Sequence, residues 1–404
     1  EDENTITYRL DRLGIPLIEI ATYPDIKSPE HARETAEKIG TILRTLKVKR
    51  GIGTIRQDIN VSIKGGARVE IKGCQELNLI PKILRYEIER QKMLINLKNL
   101  SLCKEEDIKE DFVNLEEIFK ETKCKIISQA LKNNGVVYGL KLKNFAGHIG
   151  SKFCSIENVP RFGKELAGYL KANTKLKGLF HSDELPNYGI SEEEVKKTFE
   201  ILKCDKNDAF VILAGEKDEV MKGLKVIVER VKIALKYVPE ETRRATENGE
   251  TEYMRPLPGA ARMYPETDIP IIYIDEKYLE NLKKELPETI DEKFKRYENL
   301  VGKELANQLI HSKYNKIFDE FVGKFKIKPS IIANTILSVQ SEIKKKYNFN
   351  FEISENLSLI EEIFNFLEKG IISNLLIPEI LYYAKKENKS VEKIIEEKNF
   401  SKKF

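Results

Sequence analysis

The chain has no tryptophan, four histidines and five cysteines among its 404 residues. His31, His148, His181 and His311 stand far apart, so none offers a second imidazole for zinc or an obvious base for a nucleophile. Cys74, Cys103, Cys124, Cys154 and Cys204 are odd in number and never form a C-x-x-C pair. That pattern argues against a disulfide framework and a thiolate zinc site, and it predicts a reducing compartment, the cytoplasm. Apolar runs long enough to span a bilayer are missing, so no membrane partner is expected. Also missing are the Gly-x-x-x-x-Gly-Lys-Ser/Thr phosphate loop, a Gly-x-Gly-x-x-Gly turn and a Gly-x-Ser-x-Gly elbow. Dehydrogenation, zinc chemistry and nucleophilic hydrolysis lose their usual signatures.

What is present is charge. Charged residues make up 33% and hydrophobic ones 41%, enough for real cores under a heavily ionic surface. The formal net charge is only +4, so any nucleic-acid contact would rest on local patches. The length suggests two to four domains.

Thr54 to Lys72 carries the strongest local pattern. With a strand's period of two, Ile55, Ile59, Val61 and Ile63 share one face, and Thr54, Arg56, Asp58, Asn60 and Ser62 the other. Gly65-Gly66 permits a tight hairpin turn. The return strand puts Val69 and Ile71 on its apolar side and Arg68, Glu70 and Lys72 on its polar side. Such a face is either a solvated sheet surface or a place where carboxylates hold a hydrated cation beside basic groups. Asn and Asp inside a strand favour the second reading, because both are poor strand formers.

Ahead of this hairpin, Ile15 to Ile20 reads as a strand with Glu19 semi-buried between Leu17 and Ala21. Ser28-Pro29-Glu30 starts a helix reaching about Leu46. Leu77 to Leu97 is a second amphipathic helix with Ile80, Ile83, Leu84, Ile88 and Leu94 as its core stripe. From Cys124 the texture shifts to alternating strands and helices, including a capping box at Ser191 and Glu194 and a buried strand over Asp208–Gly215. Pro239 to Ile274 returns to short polar strands with an Asn248-Gly249 turn. Beyond Asp275 the pattern is helical, and Lys324, Lys326, Lys328 and Lys344 to Lys346 read as a solvated face or as phosphate contacts.

At this point the residues resemble a known family. RLDRLGIPLIEIATYPDIKSPEHA and GIGTIRQDINVSIKGGARVEIKG are similar to the core of the B/E-type subunits of tRNA-dependent amidotransferases. ETRRATENGETEYMRP and ARMYPETDIP resemble that family's later signature. RFGKELAGYLKANTKLKGLF and NDAFVILAGEKDEVMKGLKVIVERVKIAL are similar to the insertion domain of bacterial aspartyl-tRNA synthetases. That insert marks the archaeal E branch, the glutamyl-tRNA(Gln) amidotransferase subunits. A synthetase fragment is the poorer reading, because no synthetase motifs flank the insert.

The resemblance implies an α+β fold: an antiparallel-sheet cradle like that of glutamine synthetase, interrupted by an α+β insert and followed by helices. The expected boundaries are 1–123 and 239–274 for the cradle, 124–238 for the insert, 275–355 for a helical domain and 356–404 for a tail domain. It also implies that the γ-carboxylate of glutamate on tRNA(Gln) is phosphorylated with ATP and Mg2+. Ammonia supplied by the D-type partner of the amidotransferase, an asparaginase-like protein, then displaces the phosphate. By position in the family motifs, the magnesium ligands, direct or through water, are Glu19, Asp58, Glu70 and Glu241. Arg56, Lys72, Arg243 and Arg244 would meet ATP phosphate or the glutamyl carboxylate, and Glu266 and Asp268 would support the metal or the arrival of ammonia. The family's core begins earlier and its tail ends later, so terminal pieces are expected to be missing and this polypeptide alone to lack turnover. A tRNA-docking scaffold without catalysis is the alternative.

Overall fold

The computed structural model describes residues 17–46, 48–49, 54–151, 160–257 and 272–401. The chain divides into two compact units, one from residues 1–38 and 49–269, the other from residues 39–48 and 270–404.

Helix α1 (Pro29–Thr45) comes first and is capped as expected: the Ser28 hydroxyl accepts the His31 N–H at 3.1 Å. Strands β1 (Ile59–Val61) and β2 (Val69–Lys72) follow, then the long helix α2 (Ile80–Asn99). Next come β3 (Val113–Asn114), α3 (Glu116–Phe119), α4 (Lys125–Lys132) and β4 (Val136–Leu142). The order continues with α5 (Phe162–Asn173), β5 (Phe180–His181), α6 (Glu192–Ile201), β6 (Ala209–Gly215) and α7 (Lys217–Lys236). Strands β7 (Glu241–Ala245) and β8 (Thr251–Pro256) close the first unit as far as it is described.

Among the described residues two four-stranded sheets result. One runs β1-β2-β7-β8 and the other β3-β4-β6-β5. The second is antiparallel throughout. Its central strand β6 is buried on both sides: Ala209, Val211 and Leu213 pack toward α2, α5 and α7, and Phe210 and Ile212 toward Phe119 and Ile127. A fully buried strand reads as an unbroken apolar run, which is how AFVILAG reads.

The first sheet is mixed where an antiparallel cradle was expected, because β2 and β7 pair in parallel. Two hairpins, β1–β2 and β7–β8, lie side by side. A parallel pair needs a long crossover, and here everything from α2 to α7 serves as that crossover. Both expected turns are present, but the first hairpin is shorter than expected: residues 54–58 and 62–63 form no strand, and Ile55, expected on the apolar face, is exposed. Gly65 (φ 79°) and Gly249 (φ 76°) occupy the positive-φ turn positions that favour glycine. Val69 and Ile71 are wholly buried against Ala32, Ile80 and Ile83.

The expected strand before α1 is corrected. Leu17 to Ala21 forms no strand and is exposed, Leu17 by 86% and Ile18 by 71%. A strand needs a neighbour for its N–H and C=O groups, and no described strand pairs there. Ile15 and Pro16 lie outside the described residues.

The second unit is helical as far as it is described. Helices α8 (Glu276–Glu285), α9 (Ile290–Val301), α10 (Lys303–His311), α11 (Asn315–Lys324) and α12 (Pro329–Tyr347) are followed by α13 (Leu357–Glu368), α14 (Ile377–Glu387) and α15 (Val391–Glu397). One core runs from Tyr297 through Phe318, Ile336 and Phe364 to Ile394, so the packing continues past residue 356. Burying each such aliphatic or aromatic side chain stabilises by about 1.5–3 kcal/mol relative to exposure. On the lysine-rich surface, Lys324 pairs with Glu361 at 2.8 Å and Lys346 with Glu379 at 3.2 Å. Among the described residues no helix is long and apolar enough to cross a membrane.

Candidate functional site: two charged faces of one sheet

The register of the first sheet decides which charged residues can meet. Asn60 faces Glu70 and Val61 faces Val69 across β1–β2. In the parallel pair, Glu70 lies beside Thr242, Ile71 beside Arg243 and Lys72 beside Arg244. Side chains alternate along a strand. Glu70, Lys72, Thr242 and Arg244 therefore share the outer face, and Val69, Ile71, Glu241 and Arg243 the inner one.

On the outer face, Lys72 Nζ donates to Asp58 Oδ2 at 2.8 Å and to Glu70 Oε1 at 3.0 Å. One ammonium thus reaches both carboxylates. Thr242 Oγ1 donates to Glu70 Oε2 at 3.2 Å, so both oxygens of Glu70 are held. Arg244 forks onto Glu252 of β8 at 3.0 and 2.7 Å. The hydrogen bond to Asp58 raises the Lys72 pKa against partial burial, and the bond to Glu70 adds to it. Side-chain exposures of 33% for Lys72, 39% for Asp58 and 22% for Glu70 leave the cluster open to water. Ion pairs in that setting contribute at most about 1 kcal/mol, so stability is a weak reason for their arrangement.

The inner face is dry. Arg243 Nη1 bonds Glu241 Oε2 at 2.7 Å, its Nη2 bonds Glu165 Oε1 at 2.9 Å, and its Nε bonds Thr251 Oγ1 at 3.0 Å. Arg90 forks onto Glu87 at 2.9 and 2.8 Å and reaches Glu165 Oε2 at 2.9 Å. Arg230 adds a third guanidinium to Glu165 at 3.2 Å and lies 4.8 Å from the centre of the Tyr169 ring. Tyr169 donates its hydroxyl to Glu241 and stacks on Tyr253 with ring centres 3.8 Å apart. Three glutamates balance three arginines, each at most 5% exposed. Burial works against the Glu165 carboxylate, but Arg243, Arg90 and Arg230 outweigh it and hold its pKa well below the usual range.

The expected site residues therefore separate. Asp58, Glu70 and Lys72 come together, with Arg244 on the same face. Glu241 and Arg243 sit behind them, and a single pocket uniting Glu241 with Asp58 is excluded by the alternation of β7. Glu19 is exposed in an irregular segment instead of semi-buried, and Arg56 is exposed ahead of β1. Glu266 and Asp268 lie outside the described residues. Among the described residues no group of three or more His, Cys, Asp or Glu gathers as a metal cage.

Comparison with known proteins bears on this arrangement. A family model described as the GatB/GatE catalytic domain matches residues 1–280. The chain belongs to the GatB/GatE family. It is 46% identical over 399 residues to the glutamyl-tRNA(Gln) amidotransferase E subunit of Methanocaldococcus jannaschii, covering 97% of this chain and 62% of that protein. The E subunit of Saccharolobus islandicus is 46% identical over 406 residues, with 98% and 64% covered. That of Methanococcus maripaludis is 43% identical over 400 residues, with 98% and 62% covered. The chain thus spans under two thirds of the length of these curated relatives.

Sequence reasoning missed the inner network of this GatB/GatE chain, although a signal was there. Glu87 and Arg90 fall on the stripe Ile83, Glu87, Arg90, Leu94 of α2, and Arg230 falls between Ile227 and Ala234 of α7. Glu165 sits likewise with Phe162, Leu166 and Tyr169 on α5. A charge interrupting an apolar stripe has to find a buried partner. Ile88, expected in the core, is only half-buried because Glu87 and Arg90 take the inward positions.

Proposed function

We propose that this chain carries the kinase and amidation half of a glutamyl-tRNA(Gln) amidotransferase, acting in the cytoplasm with tRNA(Gln) and the ammonia-producing D-type partner. The observation that carries the reading is the outer face: two carboxylates drawn to one ammonium, open to water, inside a family whose relatives bear that name. Asp58 and Glu70 fit magnesium, which is commonly bound by one or two carboxylates and keeps several waters and substrate phosphates as its other ligands. When bound, magnesium and ATP supply charge neutralisation and the phosphoryl group that activates the γ-carboxylate.

The chain's own residues then have defined tasks. Asp58 and Glu70 would hold the hydrated cation. Lys72, which bonds both carboxylates, would offer its ammonium to a phosphate oxygen, and Arg244 would meet phosphate or the glutamyl carboxylate. Arg56 is exposed and would reach the same polyphosphate; Glu19 stays a magnesium ligand, direct or through water, and Glu266 and Asp268 would support the metal or the arrival of ammonia. Glu241 and Arg243, buried as described, act by holding the sheet. The divisions at 124–238 for the synthetase-like insert and at 356 for the tail are part of the same reading.

The test is formation of Gln-tRNA(Gln) from Glu-tRNA(Gln) by the whole amidotransferase complex, with and without ATP. ATP-dependent amidation that Asp58→Ala lowers by at least about a hundredfold supports the assignment. Undiminished amidation in that variant refutes it.

A further inference from the structure

The inner face of the first sheet is hydrogen-bonded to a helix of the crossover between its hairpins. Glu165 lies on α5, between β2 and β7 in the chain, with Tyr169 and Arg230 as its neighbours. Its Oε1 accepts from Arg243 Nη2 at 2.9 Å, and its Oε2 accepts from Arg90 at 2.9 Å and from Arg230 at 3.2 Å. Arg243 is the chain neighbour of Thr242, whose hydroxyl holds Glu70 Oε2 at 3.2 Å on the opposite face. Glu70 in turn holds Lys72 at 3.0 Å.

We propose that Glu165 is a positioning residue for the Asp58–Glu70–Lys72 face, acting through Arg243 and the strand that both Arg243 and Thr242 belong to. The other groups bonded to the Arg243 guanidinium, Glu241 and Thr251, belong to the sheet itself, on β7 and β8. Glu87 of α2 stands farther off, at 3.6 Å. Among the described residues, helix α5 is thus the element outside the sheet that grips this guanidinium by a short hydrogen bond. Moving the Glu165 carboxylate shifts Arg243, and with it the Thr242 hydroxyl that orients Glu70. The functional consequence rests on the proposed reading of the outer face, but the geometric claim does not.

Charge balance dictates the variants. Glu165→Gln alone leaves three arginines facing two carboxylates in a dry site, and such a variant can fail to fold for that reason only. Pairing it with Arg230→Met restores neutrality, because Glu165 is the carboxylate that Arg230 bonds. Reactivity of Lys72 toward acetic anhydride at fixed pH, read by mass spectrometry of its peptide, reports the Glu70 contact without any ligand. The full chain carrying E165Q and R230M together is expected to acylate Lys72 about threefold faster than the parent, as is Thr242→Val. Both are expected to bind a magnesium complex of a non-hydrolysable ATP analogue about tenfold more weakly. Lys72 labelling at the parent's rate in the folded double variant overturns the proposal. Should the double variant not fold, Glu165→Asp decides: it keeps the charge and withdraws the carboxylate by one carbon, and an unchanged labelling rate overturns the proposal equally. A parent that binds no magnesium–nucleotide complex refutes the ATP reading instead, while the labelling rates still decide the role of Glu165.

Discussion

Arg243 and Glu165 meet at 2.9 Å although 78 positions separate them, and neither is more than 5% exposed. Their contact fastens β7 to α5 and so joins the sheet that bears the outer carboxylates to the helices of its own crossover. Buried ion networks of this kind are costly to assemble and more costly to break, since removing one partner strands another charge away from water.

The first expectation concerns stability. Glu165→Gln is expected to destabilise the first unit by about 3–5 kcal/mol, read as a lowered urea midpoint with an unchanged slope. The added change Arg230→Met is expected to recover much of that loss. A single variant as stable as the parent would mean that the Glu165 contacts do not hold the first unit together.

The second separates binding from stability. Lys72 is 33% exposed and pairs with two half-open carboxylates. Lys72→Met is therefore expected to change unfolding free energy by no more than about 1 kcal/mol. Its affinity for the magnesium–nucleotide complex is expected to fall by about tenfold. Loss of both together would make Lys72 a structural residue.

The third is a pH dependence. The Glu165 pKa is depressed in the folded chain, so the unfolded chain takes up this proton first as acid is added. Its contribution is whole above the ordinary glutamate value of 4.5 and is lost as pH falls from there toward the folded value. The parent's melting temperature is expected to drop more steeply below pH 4.5 than that of the E165Q and R230M double variant. Parallel curves would contradict this sign.

Much of the local structure was legible in the sequence. The Gly65-Gly66 hairpin turn, the Ser191–Glu194 capping box, the Asn248-Gly249 turn and the apolar run of β6 all follow from short-range rules, although the strand expected from Thr54 begins only at Ile59. What short-range rules do not carry is which strand lies beside which. The alternation in ETRR puts Glu241 with Arg243 and Thr242 with Arg244, but only the parallel pairing with β2 tells which pair shares the side of Glu70. The hairpin register alone places Lys72 and Asp58 on one face, and the structure joins them there by a hydrogen bond. The Glu165 contacts come from elements far apart in the chain, and the one local hint was a charge set within an apolar stripe.

Calorimetric titration of the chain with magnesium and a non-hydrolysable ATP analogue tests the central claim most directly. The account predicts saturable, magnesium-dependent heat that disappears in Asp58→Ala while the Glu241→Gln variant, compared at a temperature where it stays folded, keeps a measurable share. Heat that survives Asp58→Ala and vanishes only with Glu241→Gln would place the cation on the inner face and contradict it.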